Sequence, residues 1–238
     1  MGPTRVKQAG PMSEQYDPSP VNPLPPAVWL LFAAVVLPEL MFSLGEANLI
    51  GGAGAVGWRL QALNDYAFSG EAFDFMVENG RLLPEHLLRF VTYPFVHGSV
   101  TATIFAGVIL LAMGKMVGEV MGGWAVILLF FLCGIFGALI FALLTDQAWL
   151  TGAYPSVYGL IGVFTFLYWQ KQAATGGPQA QAFTLIGVLM GLQLLFGMFF
   201  QVGYAWVAEL SGFCAGFALT AFVLPGGMAR VIAVLRRR

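Results

Sequence analysis

Charge is the scarcest property of this chain. Eleven Lys and Arg and twelve Asp and Glu make up only 10% of its 238 residues, and the net charge is −1. That balance offers no basic surface to a phosphate backbone, so nucleic acid is excluded as a partner. The sequence holds two histidines and two cysteines. None of them falls at the spacing of a metal site, so no metal is expected. No glycine-rich phosphate loop follows a strand, and no cofactor is expected. Cys133 and Cys214 both lie in apolar runs and read as small packing residues rather than a disulfide.

What the chain has instead is apolar length. It is 58% hydrophobic with a mean hydropathy of +0.79, which fits a polytopic membrane protein and not a soluble domain. A bilayer core needs about 20 mostly apolar residues per helix. Six runs approach that, near Ala27–Leu44, Tyr93–Met113, Gly123–Leu144, Tyr154–Trp169, Phe183–Val202 and Trp206–Val223. Backbone groups in lipid must be satisfied within the segment, so the runs predict an all-α bundle of six transmembrane helices. Glu39 follows Pro38 near the middle of the first run. It is expected to face the bundle or a wet groove, either as a functional carboxyl or as a protonated, internally bonded one. Pro38 is expected to bend that helix.

Residues 1–26 carry seven prolines and little apolar material, which predicts a disordered tail. Neither a signal peptide nor a myristoylation signal is expected there. Residues 27–225 form the membrane domain, and 226–238 a basic C-terminal segment. With the N-terminus in the cytoplasm, eight of the eleven cations (Arg5, Lys7, Lys115, Lys171, Arg230, Arg236, Arg237 and Arg238) fall on the cytoplasmic side. Only Arg59, Arg81 and Arg89 fall outside, which predicts both termini cytoplasmic.

Those three share a long loop, about Glu46 to Thr92. Its stretches WRLQALNDYAF (58–68) and EAFDFMVENG (71–80) mix aromatic and charged residues. They predict short interfacial helices, with Trp58 and Phe73 or Phe75 dipped toward lipid.

Four stretches carry fixed spacings. Residues 88–99 read LRFVTYPFVHGS, 114–124 GKMVGEVMGGW, 152–162 GAYPSVYGLIG and 208–216 AELSGFCAG. Together they resemble the rhomboid intramembrane serine proteases, whose corresponding patterns run WRLxTxxFxHxx, ExxxG, GxSGxxYGLxG and AHxxGxxxG. Arg89, Thr92, Phe95, His97, Glu119, Gly152, Gly159, Gly162, Gly212 and Gly216 match. The resemblance spans roughly residues 28–225. It implies that Arg89 helps pin the loop to the bundle and that Glu119 accepts backbone bonds in a cytoplasmic turn. His97 then lies at an oxyanion position or is a polar cap at a helix entrance.

The match fails at the chemistry. Tyr154 stands at the family's nucleophilic serine and Pro155 at the glycine after it. Glu209 stands at the general-base histidine. Ala102 and Ala106 stand at the other oxyanion positions, and an alanine side chain donates nothing. Ser156 is two residues from Tyr154, about 200° around a helix, so its hydroxyl is expected to face elsewhere. Close packing of the two glycine-bearing helices is expected to bring Tyr154 onto Glu209 in a hydrogen bond that closes the old site.

The resemblance therefore implies a non-proteolytic rhomboid-like protein, a pseudoprotease of a bacterial inner membrane. Its expected partners are membrane lipid and the transmembrane segments of client proteins, whose assembly or stability it influences. An active rhomboid-type serine endopeptidase with a rearranged site is the alternative. A small transporter or ion pathway using Glu39 and Glu209 is the third reading.

Overall fold

The computed structural model describes residues 23–145, 149–199 and 203–224. The expected disordered tail and basic C-terminal segment therefore fall almost wholly outside the described residues. Nine α-helices are present among those described. Helix α1, Pro26–Glu46, starts on a proline at its first position, where the missing N–H costs nothing, and continues through Pro38. Three short helices follow a 3₁₀ turn at Gly52–Gly57: α2 Trp58–Tyr66, α3 Gly70–Asn79 and α4 Pro84–Thr92. Then come α5 Val100–Met121, α6 Gly123–Leu144, α7 Tyr154–Thr175, α8 Thr184–Phe199 and α9 Ala205–Val223.

Among the described residues four helices are long and apolar enough to cross a membrane: α1, α5, α6 and α9 over Ala205–Phe222. Helix α7 is not among them although it has 22 residues. Its residues from Pro155 to Val163 are all buried, so it faces protein rather than lipid and needs less hydropathy. Helix α8 is described over 16 residues. The main core joins α1 (Val28, Leu31, Val35), α5 (Leu110, Val117), α6 (Leu129, Phe130) and α7 (Leu160, Ile161).

The structure changes several sequence expectations. The second apolar run does not begin at Tyr93. Residues Tyr93–Phe95 form a 3₁₀ turn, and α5 starts after Ser99, whose hydroxyl accepts from the Ala102 N–H at 3.2 Å. Nor does it end at Met113. Gly114–Met121, read as a turn, continues the helix, and the turn is Gly122 alone at φ +86°. The all-α expectation misses one ladder. Phe68–Ser69 (β1) pairs antiparallel with Trp149–Leu150 (β2), Phe68 opposite Leu150. It ties the segment after α1 to the segment before α7.

Trp58 does not dip outward; it packs over Gly45 and Gly51, where any Cβ would meet its ring. Phe73 turns inward onto Phe90, ring centroids 6.1 Å apart, and Phe75 is the exposed one. A second small core of Phe68, Tyr93, Phe141 and Leu150, with Phe73 and Phe90 against it, seats this segment on α6.

Candidate functional site

The site is built around the N-terminus of α7. Gly152 takes φ +84°, a conformation that disfavours any side chain, and a Cβ there would strike the His97 ring at 2.9 Å. Its N–H donates to the Tyr93 carbonyl at 3.0 Å. His97, 2% exposed, accepts the Ala153 N–H on Nε2 at 3.1 Å. His97 is thus a cap, but for α7 rather than for the helix it precedes. Burial pulls its imidazole down to about 4; Glu39 pulls the other way and Arg59 lowers it further. Neutral His97 therefore carries its proton on Nδ1, which has no partner among the described residues.

Tyr154 is half-buried, and its hydroxyl donates to the Ala102 carbonyl at 3.1 Å. Glu209, 5% exposed on α9, accepts from Gln193 Nε2 of α8. The expected Tyr154–Glu209 hydrogen bond is therefore not formed; each group has another partner. Glu209 still lies within Coulombic reach of Tyr154 and Tyr158. The correction has a physical cause: a backbone carbonyl on α5 accepts from the phenol and a side-chain amide on α8 donates to the carboxylate. Ala106 is fully buried in the core, and Ala102 offers the site only its carbonyl. Ser156 is fully buried against α6. A Cβ on Gly134 would collide with its hydroxyl and crowd Tyr93 Oη at 3.3 Å.

Glycines set the spacing of the helices that hold this site. A Cβ on Gly212 would overlap the Pro155 carbonyl, one on Gly216 the Gly159 carbonyl, and one on Gly162 the Phe213 carbonyl. Gly159 faces Cys133 of α6 just as closely. Helices α7 and α9 therefore touch backbone to backbone. Cys133 is buried and Cys214 exposed, and both are free.

The remaining matched residues lie around this centre. Phe95 packs on Phe130 and Phe131 of α6, at 6.0 and 5.9 Å. Thr92 donates to the Tyr66 carbonyl at 3.0 Å. Arg89 reaches the Ala67 carbonyl only at 3.5 Å, a tie within the segment between α1 and α5 rather than to the bundle. Glu119 is not in a turn. It sits on α5, where Lys115 Nζ is 3.9 Å from it, one helical turn back.

The charged tie from that segment to the bundle is made by a residue sequence reasoning passed over, Arg59. Its Nη1 and Nη2 each donate to Glu39 at 2.7 Å, its Nε donates to Glu46 at 2.8 Å, and Nη1 also reaches the His97 carbonyl at 3.3 Å. Thr103 and Ser43 donate to the same Glu39 carboxylate at 3.0 and 3.1 Å. Glu39 is therefore a charge-paired carboxylate and not a protonated one. The signal was available: a carboxyl inside an apolar run demands a cation, and Arg59 sits in the adjacent segment. Gln193 was also missed, and no motif marks it. Among the described residues no group of three His, Cys, Asp or Glu side chains is arranged to hold a metal.

Residues 84–226 match the family model described as Rhomboid domain, more than half of the chain. No curated protein matches it.

Proposed function

Because the chain belongs to the rhomboid family, we propose that it is a non-proteolytic member, a pseudoprotease that binds transmembrane segments of other membrane proteins and influences their assembly or stability. It is an integral membrane protein, with α1, α5, α6 and α9 long and apolar enough to span. On this reading α7 and α8 complete a six-span bundle, both termini are cytoplasmic, and the membrane is a bacterial inner membrane. Client segments enter beside α8 from the outer face. Membrane lipid is the other partner.

One observation carries the reading. At the two positions where the family keeps its serine and histidine, the phenol of Tyr154 is spent on the Ala102 carbonyl and the carboxyl of Glu209 on Gln193. Neither group activates the other, and Ala102 and Ala106 bring no side-chain donor to a developing oxyanion. Losing even one such donor costs about 10²–10³ in rate. A rearranged serine endopeptidase would have to use Ser156, whose hydroxyl points at Gly134 of α6. An ion pathway through Glu39 would have to break its bonds to Arg59, Thr103 and Ser43.

The test is incubation of the full chain, reconstituted in lipid, with fluorogenic single-span substrates. The expected result is no cleavage and no labelling by a serine-reactive fluorophosphonate, while single-span proteins copurify. Cleavage that disappears in Ser156→Ala would establish the endopeptidase instead.

A further inference from the structure

Among the described residues two carboxylates are buried in the apolar helices, and they are held very differently. Glu39, 6% exposed, is met by both terminal nitrogens of Arg59 and by two hydroxyls. Glu209, 5% exposed, is met by one neutral amide, Gln193 Nε2. No ion pair among the described residues reaches it. The other end of the same amide, Gln193 Oε1, is also buried and has no partner among the described residues. Two acceptors, one of them a carboxylate, thus sit on adjoining side chains with no cation between them. Ionisable groups at membrane depth pair with one another, and an uncompensated one is costly to keep. A positively charged group with several N–H donors would satisfy both acceptors at once.

We propose that Glu209 and Gln193 Oε1 form a receptor for a basic side chain, Lys or Arg, carried within the membrane segment of a client protein. This rests on the client-binding reading above and names the class of client. Helix α8 is the way in. Its Val188, Leu192 and Leu195 are exposed, and Gly187 and Gly191 face open space, whereas α7 and α9 are in backbone contact. Its first turns pack on the main core through Ile186, with Leu185, Leu189 and Met190 against it, and the turn at Gln179–Phe183 adjoins it. When α8 swings aside, the client's ammonium or guanidinium takes the place of Gln193 Nε2 on the carboxylate. It also donates a second bond to the free Gln193 Oε1.

The test uses the full chain in phosphatidylcholine nanodiscs and labelled single-span Leu/Ala helices that differ at one central position: Leu, Gln, Lys or Glu. Energy transfer gives each dissociation constant. The Lys helix is expected to bind about tenfold tighter than the Leu helix, and the Glu helix more weakly than either. Glu209→Gln is expected to bring Lys to the Leu value, and Glu209→Lys to transfer the preference to the Glu helix. Equal binding of Leu and Lys by the unaltered chain overturns this inference and leaves client binding standing. Equal binding of Gln and Lys overturns the requirement for charge. If none of the four binds, client binding itself falls with it.

Discussion

His97 shows how a residue can keep its family position while its work is entirely local. Its Nε2 satisfies the Ala153 N–H, one of the orphan donors at the start of α7, and its ring fills the space that Gly152 leaves empty. Both roles need a neutral imidazole, and burial holds its pKa down to about 4. The unfolded chain binds that proton nearer 6.5. The stabilisation is therefore complete above pH 6.5 and is lost as the pH falls through 6.5 toward 4. The whole of it is on the order of 3 kcal/mol. Reversible unfolding in mixed micelles across that range should show a steeper loss for the unaltered chain than for His97→Gln. Equal slopes would mean that His97 titrates in the folded protein as it does in the unfolded chain.

Among elements, the division is between α7 and α9, which touch backbone to backbone, and α8, which meets the core through side chains such as Ile186. Gly159 and Gly162 on α7, and Gly212 and Gly216 on α9, each leave room for the facing backbone or for Cys133. Backbone cannot rotate away as a side chain can, so an added methyl must separate the helices. Gly216→Ala should cost at least the 1–3 kcal/mol typical of overpacking. Gly187→Ala, on the open side of α8, should be neutral or stabilising by up to about 1 kcal/mol, the helix-propensity gain of alanine over glycine. Unfolding midpoints of the two variants decide this. A Gly216→Ala variant as stable as the original would show that α7 and α9 part easily. Such freedom would undo the view that α8, and not α9, moves to admit a client.

At the scale of the whole molecule, the glycine spacings were legible in the sequence because backbone contact fixes them. That is why the family resemblance placed Tyr154 and Glu209 correctly on two neighbouring helices. Their hydrogen bonds were not legible, since these depend on rotamers and on Gln193, which lies in no motif. Glycine also misled at the end of α5. Residues 114–124 follow the family's turn pattern, but Gly114 and Gly118 within them make room for α1 and the residue before it, a Cβ there meeting Val28 or Pro25 at 2.9 and 2.8 Å. The most consequential contact left unread is Arg59, which spans three parts of the chain. It holds Glu39 and Glu46 of α1 and the His97 carbonyl just before α5, and through Glu39 it reaches Thr103. The side chains of Arg59 and Glu39 are only 12% and 7% exposed, so solvent screens them little. Removing one partner of such a pair costs about 3–5 kcal/mol, because the other is left buried and unpaired, whereas replacing both is often nearly neutral. Arg59→Met should therefore destabilise by that amount and open residues 47–99 to protease, while Arg59→Met combined with Glu39→Gln should recover most of the loss. Unfolding in mixed micelles and limited proteolysis of the single and double variants measure both effects. A single variant as stable and as resistant as the original would mean that the segment between α1 and α5 is held by its aromatic contacts with α6 alone.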